Sequence, residues 1–295
     1  MSIHANGGRL VLDGFPEWKL MNLNAKLDSG VLEIEQSRYL VDERDELKIS
    51  GKIDMRPNGG MELEGALENL LLSRLLPDYW HGKLDGRLGS DFSFAMEFGE
   101  GGGPVFSGTF EIRDFVLRGL PVFDTLAIYA GEHGLGFMEI PSVKGKFHSE
   151  GGVLTISDFE SLKAGLLKMR GEITITDGQV GGVIEVGLPD AIFDKLAGGR
   201  PNIFNVEGSG FAWATMNLSG GVDSPLEDLS PKLMDLTRKR SEVRGEVANP
   251  APTAPRAVNP AEKVLPGKIR SELPASDDER KKKIEDAFEN LINGQ

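Results

Sequence analysis

The nine residues Leu47-Lys48-Ile49-Ser50-Gly51-Lys52-Ile53-Asp54-Met55 place apolar side chains or glycine at odd positions and polar side chains at even ones. Side chains of a β-strand alternate between two faces, so the stretch reads as a strand with one apolar face. It recurs as Leu167-Lys168-Met169-Arg170-Gly171-Glu172-Ile173-Thr174-Ile175, and both copies fit Leu-Lys-apolar-x-Gly-x-Ile-x-apolar. Upstream, Gly30-Val31-Leu32-Glu33-Ile34 stands to the first copy as Gly152-Val153-Leu154-Thr155-Ile156 stands to the second. Downstream, residues 61–65 and 183–187 read as further strands. Helical patterns follow each. Residues 66–76 carry Leu67, Leu70, Leu71 and Leu75 at spacings of three and four, and residues 189–197 open on Pro189 and set Ile192, Phe193 and Leu196 on one side. Strand-like returns near 82–98 and 208–218 close each block.

The body therefore reads as one duplicated unit, residues 1–103 and 104–231, and as a mainly β fold. The expectation is a long curved antiparallel sheet, a half-open groove or a β-taco or jelly-roll-like shape, with two short helices. Each apolar sheet face needs cover, and two short helices cannot cover about a dozen strands. Such a sheet must curl on itself, meet a partner or leave a groove.

Composition narrows the class. The chain has 295 residues, 38 of them Gly, 16 Pro and none Cys, with a net charge of −13. Without Cys there is no disulfide scaffold, zinc ribbon or cysteine nucleophile. Glycine near one residue in eight, with no every-third period, implies many turns and hence many short strands. No apolar run approaches the ~20 residues of a membrane-spanning helix, and no leader pattern follows Met1. The sequence reads as a soluble chain, or as a soluble piece whose anchor and targeting signal lie upstream.

From residue 232 the character changes. Six prolines fall between Pro250 and Pro274, and Phe288 is the sole aromatic of residues 232–295. Residues 246–276 read as a disordered Pro-rich linker, and 276–291 as a short, charged, N-capped helix. The acidic charge sits in residues 1–231. No basic stripe with interleaved aromatics is present there, which argues against nucleic acid as a partner.

Sharper motifs give way to plainer readings. Ser219-Gly220-Gly221-Val222-Asp223-Ser224 is similar to the pyrophosphate loop of ATP pyrophosphatases, which would make this a nucleotide-binding enzyme. The sequence after Ser224 does not supply the parallel α/β domain that such a loop needs, so a turn ending a strand is the better reading. Gly99-Glu100-Gly101-Gly102-Gly103 reads as a hairpin connection. Asp42-Glu43-Arg44-Asp45-Glu46 reads as a solvated acidic turn, lacking the spacing and glycine of a calcium loop. His4, His81, His133 and His148 form no metal-binding pair. No catalytic, metal or cofactor site is expected.

The order Gly-Val-Leu-x-Ile, Leu-Lys-x-x-Gly-x-Ile, a leucine-rich turn, Gly82-Lys83-Leu84-Asp85-Gly86, then Phe110-Glu111-Ile112-Arg113-Asp114-Phe115-Val116-Leu117-Arg118, resembles the C-terminal region of AsmA-like proteins, the TamB/YhdP-related envelope family. Residues 217–229 resemble the end of that region, and the likeness covers roughly residues 10–230. It implies a non-enzymatic module of the periplasm or cell envelope with an apolar β-groove, acting in phospholipid transport between membranes or in outer-membrane assembly. The implied partners are phospholipid acyl chains, an envelope protein, and an inner-membrane anchor in a longer native chain. Candidate groove residues are Leu47, Ile49, Ile53, Met55, Leu167, Met169, Ile173, Ile175, Val180, Ile184 and Val186. From the residues alone they fit the packed core of a β-sandwich better than a trough; with the resemblance the two readings stand level. A structural or protein-interaction β module without lipid is the alternative.

Overall fold

In a computed structural model, residues 1–11, 16–99, 103–196, 199–208 and 210–247 are described, with side chains in the last helix described as far as residue 239. The sheet is a meander. Its strands are β1 (Ser2–Ala5), β2 (Arg9–Leu10), β3 (Trp18–Asp28), β4 (Val31–Leu40), β5 (Glu46–Asp54), β6 (Gly60–Leu71), β7 (Leu84–Glu97) and β8 (Val105–Arg118). The remaining strands are β9 (Phe137–Glu150), β10 (Val153–Lys163), β11 (Leu167–Thr176), β12 (Gln179–Pro189), β13 (Asn205–Val206), β14 (Phe211–Gly221) and β15 (Ser224–Glu227). All pair antiparallel in one 15-stranded sheet ordered β1-β3-β4-β5-β6-β7-β8-β9-β10-β11-β12-β14-β13, with β2 on β3 and β15 on β14. Helices α1 (Pro121–Ala130), α2 (Asp190–Asp194) and α3 (Leu229–Val247) complete the body.

Part of the order recurs: β4-β5-β6, a helical turn and β7 correspond to β10-β11-β12, α2 and β14, while α1, β13 and β15 have no counterpart in the first half. The shared glycine of the template also has a common cause: a Cβ on Gly51 would lie 2.1 Å from the Glu62 carbonyl oxygen, and one on Gly171 would lie 2.2 Å from that of Val183. At both places a strand bends against its neighbour so closely that only glycine fits.

The expected helix at 66–76 is instead strand as far as Leu71, followed by a 3-10 turn at Leu72–Arg74. The three-residue step from Leu67 to Leu70 is a β-bulge, with Asn69 in the left-handed region at φ 61°. A bulge also lies between Arg113 and Val116, with Asp114 at φ 51° and Phe115 following Ile112 in the core, and another from Ile156 to Phe159 with Asp158 at φ 50°. Asn and Asp tolerate that conformation best among non-glycine residues. Each step returns the next apolar side chain to the same face, while the extra residue bends and twists the strand.

The connections that carry α1, α2 and the 72–83 segment lie at one end of the strands, together with the short 164–166 turn, and the two-residue hairpins lie at the other. At the turn end, Ser29-Gly30, Gly151-Gly152 and Asp177-Gly178 each take positive φ at both positions, the two-residue hairpin geometry that suits twisted strands. At the other end, α1, α2, α3 and the connection 72–83 pack on the apolar face. They bury Leu126, Leu135, Met138, Leu167, Leu188 and Leu229 in a core with the second half of the sheet. A smaller cluster, Trp18, Leu47, Leu67 and Leu70, closes the first half. Trp80 Nε1 donates to the Val222 carbonyl at 2.8 Å, joining the connection before β7 to the turn after β14. Six strand steps at about 20–25° of twist turn β14 by roughly 120–150° relative to β7, which brings opposite strand ends together. The sheet is therefore strongly coiled.

The compositional break at 231–232 falls inside α3. Leu229, Leu233 and Leu236 form its packed stripe, and Leu233 is fully buried, so the helix belongs to the body despite its charged exposed face. Glu227 accepts from the Leu229 and Ser230 amides at 2.7 and 2.8 Å and so caps its first turn. Residues 246 and 247 of the expected linker are the end of α3, and residues 248–276, with the expected terminal helix, lie outside the described residues.

Candidate functional site

Register sets the apolar side chains of successive strands opposite one another in rows that cross the sheet. Nearest the turns, Leu27, Leu32, Ile53, Met61 and Met96 form the first row. The second runs Ile34, Gly51, Leu63, Phe94, Phe106, Ser149, Leu154, Ile175, Val180. Apart from Gly51 and Ser149, its members are large apolar residues left half-buried, and none belongs to either core cluster. The third row, Ile49, Gly65, Phe92, Gly108, Phe147, Ile156, Ile173, Gly182, alternates bulky residues with glycine over much of its length.

That alternation shapes the surface. A Cβ on Gly65 would lie 2.2 Å from Phe92 Cζ, and one on Gly108 would lie 2.9 Å from Phe147 Cζ, so each ring lies down over the glycine of the next strand. Phe106 contacts Phe92 and Phe147 at centroid separations of 5.2 and 4.8 Å. The outcome is a low, continuous apolar floor rather than a ridge. Two hydroxyls on this face are turned back to the backbone: Ser37 donates to the Ile49 carbonyl and Ser90 to that of Thr109, both at 2.8 Å.

The candidate groove residues divide by height along the strands. Leu47, Leu167, Met169 and Val186 lie at the helix end and are buried in the two cores. Ile49, Ile173 and Ile184 are half-buried against those cores. Ile53, Ile175 and Val180 belong to the open strip near the turns. Met55 is a correction: the alternation ends with β5, and Met55 stands 54% exposed in the following turn. Sequence reasoning missed Leu63, Phe94, Phe106, Phe147 and Leu154, although the alternation around each of them was a usable signal.

The first row crosses five strands, β3 to β7, and the second nine, β4 to β12; at about 7 Å of strand per row and about 4.8 Å per strand they cover roughly 450 Å². That lies within the range of the largest apolar patch on an ordinary monomer. The residues of this strip lie outside both packed clusters and keep part of their surface exposed.

The opposite face is polar and tied by ion pairs across strands, including Lys48–Glu68 at 3.0 Å, Lys144–Glu111 at 3.3 Å and Arg170–Glu185 at 2.6 Å. A shallow concavity of about 600 Å³ lies over β4 to β8, among Glu35, Lys48, Ser50, Glu64, Asp91, Ser93 and Ser107. Residues 219–224 form the β14–β15 hairpin, an antiparallel turn rather than a strand-to-helix phosphate loop. In the acidic run, Arg74 pairs with Asp42 at 2.7 Å and with Asp45 at 3.1 Å. Asp45 is fully buried rather than solvated, and burial pushes its carboxyl above the usual range against the pull of Arg74. Among the described residues, no three His, Asp or Glu side chains converge as metal ligands, and no helix is long and apolar enough to cross a membrane.

Compared with models of known protein families, with curated proteins and with solved structures, the chain matches none. The functional reading therefore rests on the apolar strip.

Proposed function

We propose that this chain is a non-enzymatic cell-envelope module that shelters lipid acyl chains on its open apolar strip, in phospholipid transport between membranes or in outer-membrane assembly. The half-buried strip of Leu63, Phe94, Phe106, Leu154 and Ile175, outside both packed cores, carries the reading. Its width of about 14 Å is close to one leaflet of a bilayer whose hydrocarbon core is about 30 Å thick. Acyl chains laid on it lose water-exposed apolar area at roughly 0.8 kcal/mol per buried methylene. The AsmA-like sequence pattern supports the envelope setting.

The test is native mass spectrometry with solvent extraction of the purified chain, followed by lipid uptake from vesicles. Phospholipid in the native extract, reduced in a Phe106→Ser variant, is the expected result. A folded protein that carries no lipid and takes none from vesicles would overturn the proposal.

The alternative, a protein-interaction module, draws on β1, which is paired only with β3 and leaves its other side open to strand addition. A C-terminal truncation used to test it must begin beyond Val247, because Leu233 is core.

A further inference from the structure

The turns that border the apolar strip carry mainly acidic side chains, with Arg56 and the Met1 amino group among them. Successive hairpins at this end present Asp28, Asp54, Glu97, Glu150 and Asp177, each within two residues of the strip's last strand positions. Asp54 is engaged by Arg56, whose Nε and Nη2 donate at 2.8 and 2.5 Å, and Glu150 lies 3.4 Å from His148 Nε2. Asp28, Glu97 and Asp177 are exposed, and none has a cationic partner among the described residues. Beside the first turn, the Met1 amino group donates to the Leu27 carbonyl at 2.9 Å. The helix end of the face is closed by core, so chains lying along the strands can bring a polar head into water at the turn end.

Given the lipid reading, the geometry points to head-group selection at this rim: the strip takes amphiphiles of zero net charge that bear an ammonium group, such as phosphatidylethanolamine, and disfavours anionic ones such as phosphatidylglycerol. A carboxylate about 7 Å from an anionic head in water opposes it by about one RT, a factor of about three for each such approach. Salt screens the effect over a Debye length of about 10 Å at 0.1 M. Asp28, Glu97 and Asp177 are the selecting residues, and all three are exposed.

The full chain is incubated with vesicles of equal phosphatidylethanolamine and phosphatidylglycerol, matched in acyl chains, and bound lipid is quantified by mass spectrometry after gel filtration. The expected result is at least threefold enrichment of phosphatidylethanolamine at low salt, shrinking toward unity at 0.5 M salt. The Asp28→Asn, Glu97→Gln, Asp177→Asn variant binds as much total lipid with the preference lost. Lipid bound without preference, or with a preference that the neutral variant retains, overturns the selection while leaving the lipid reading intact. Uptake of neither lipid overturns the lipid reading itself.

Discussion

Replacing Gly171 with alanine puts a methyl group 2.2 Å from the Val183 carbonyl oxygen and 3.0 Å from Ile184 Cα. Both atoms are backbone of β12, so no rotamer change relieves the overlap, and β12 must move away by about 1 Å to restore van der Waals contact. A shift of that size breaks or stretches about two ladder hydrogen bonds, each worth roughly 0.5–1.5 kcal/mol net, and opens the packing beneath them. The cost is about 2–4 kcal/mol, a large share of the 5–15 kcal/mol that holds a typical domain together. Gly181 is the internal control on the same strand pair. Its added Cβ would meet nothing nearer than Thr174 Oγ1 at 3.5 Å, and its φ is not positive. Gly181→Ala should therefore be neutral or slightly stabilising, through loss of unfolded-state freedom. Urea unfolding followed by far-ultraviolet circular dichroism and tryptophan fluorescence reads the difference. With a slope near 2 kcal/mol/M the Gly171→Ala midpoint drops by about 1–2 M. If Gly171→Ala lies within 1 kcal/mol of the parent, or the two variants behave alike, the account of strand bending at the repeated glycine is wrong.

The strip and the core should respond differently. Leu188→Ala, at a fully buried core position, should cost about 2–5 kcal/mol in the same unfolding assay. Phe106→Ser, on the strip, should cost only about 1–2 kcal/mol, chiefly its two ring contacts, yet remove most bound lipid in extraction. Trp80→Phe deletes the 2.8 Å hydrogen bond to Val222 and should lower stability by about 1 kcal/mol, with faster amide exchange at the β14–β15 turn. Burial alone would raise the Asp228 carboxyl, but Lys232 together with the side chain and amide of Asn217 outweighs it and holds the group down to about 2. A depressed acid stabilises above its ordinary pKa of 3.8 and loses that contribution as pH falls toward 2. The acid unfolding of Asp228→Asn should accordingly be shallower than the parent's in that window, and identical curves would refute the linkage.

Much of the fold was legible in the sequence because period two survives in nearly every strand. The alternation at 47–54 and 167–175 became β5 and β11. The helix expected at 66–76 failed for a local reason. A three-residue step can be a helical spacing or a bulge, and Asn69, able to take φ 61°, made it a bulge. The charge-rich start of the tail likewise concealed a helix, since only the spacing of Leu229, Leu233 and Leu236 betrays a stripe that packs.

Of the candidate site, the sequence by itself determined which face is apolar, because the parity of each strand dictates it. It could not tell Val186 from Val180, six residues apart on the same face of one strand. The first is sealed in the core and the second is left half-open. That division depends on where α1, α2, α3 and the 72–83 connection come to rest once bulges and glycines have coiled the sheet. It is a non-local outcome of accumulated twist, and it leaves the turn-end rows outside both packed cores.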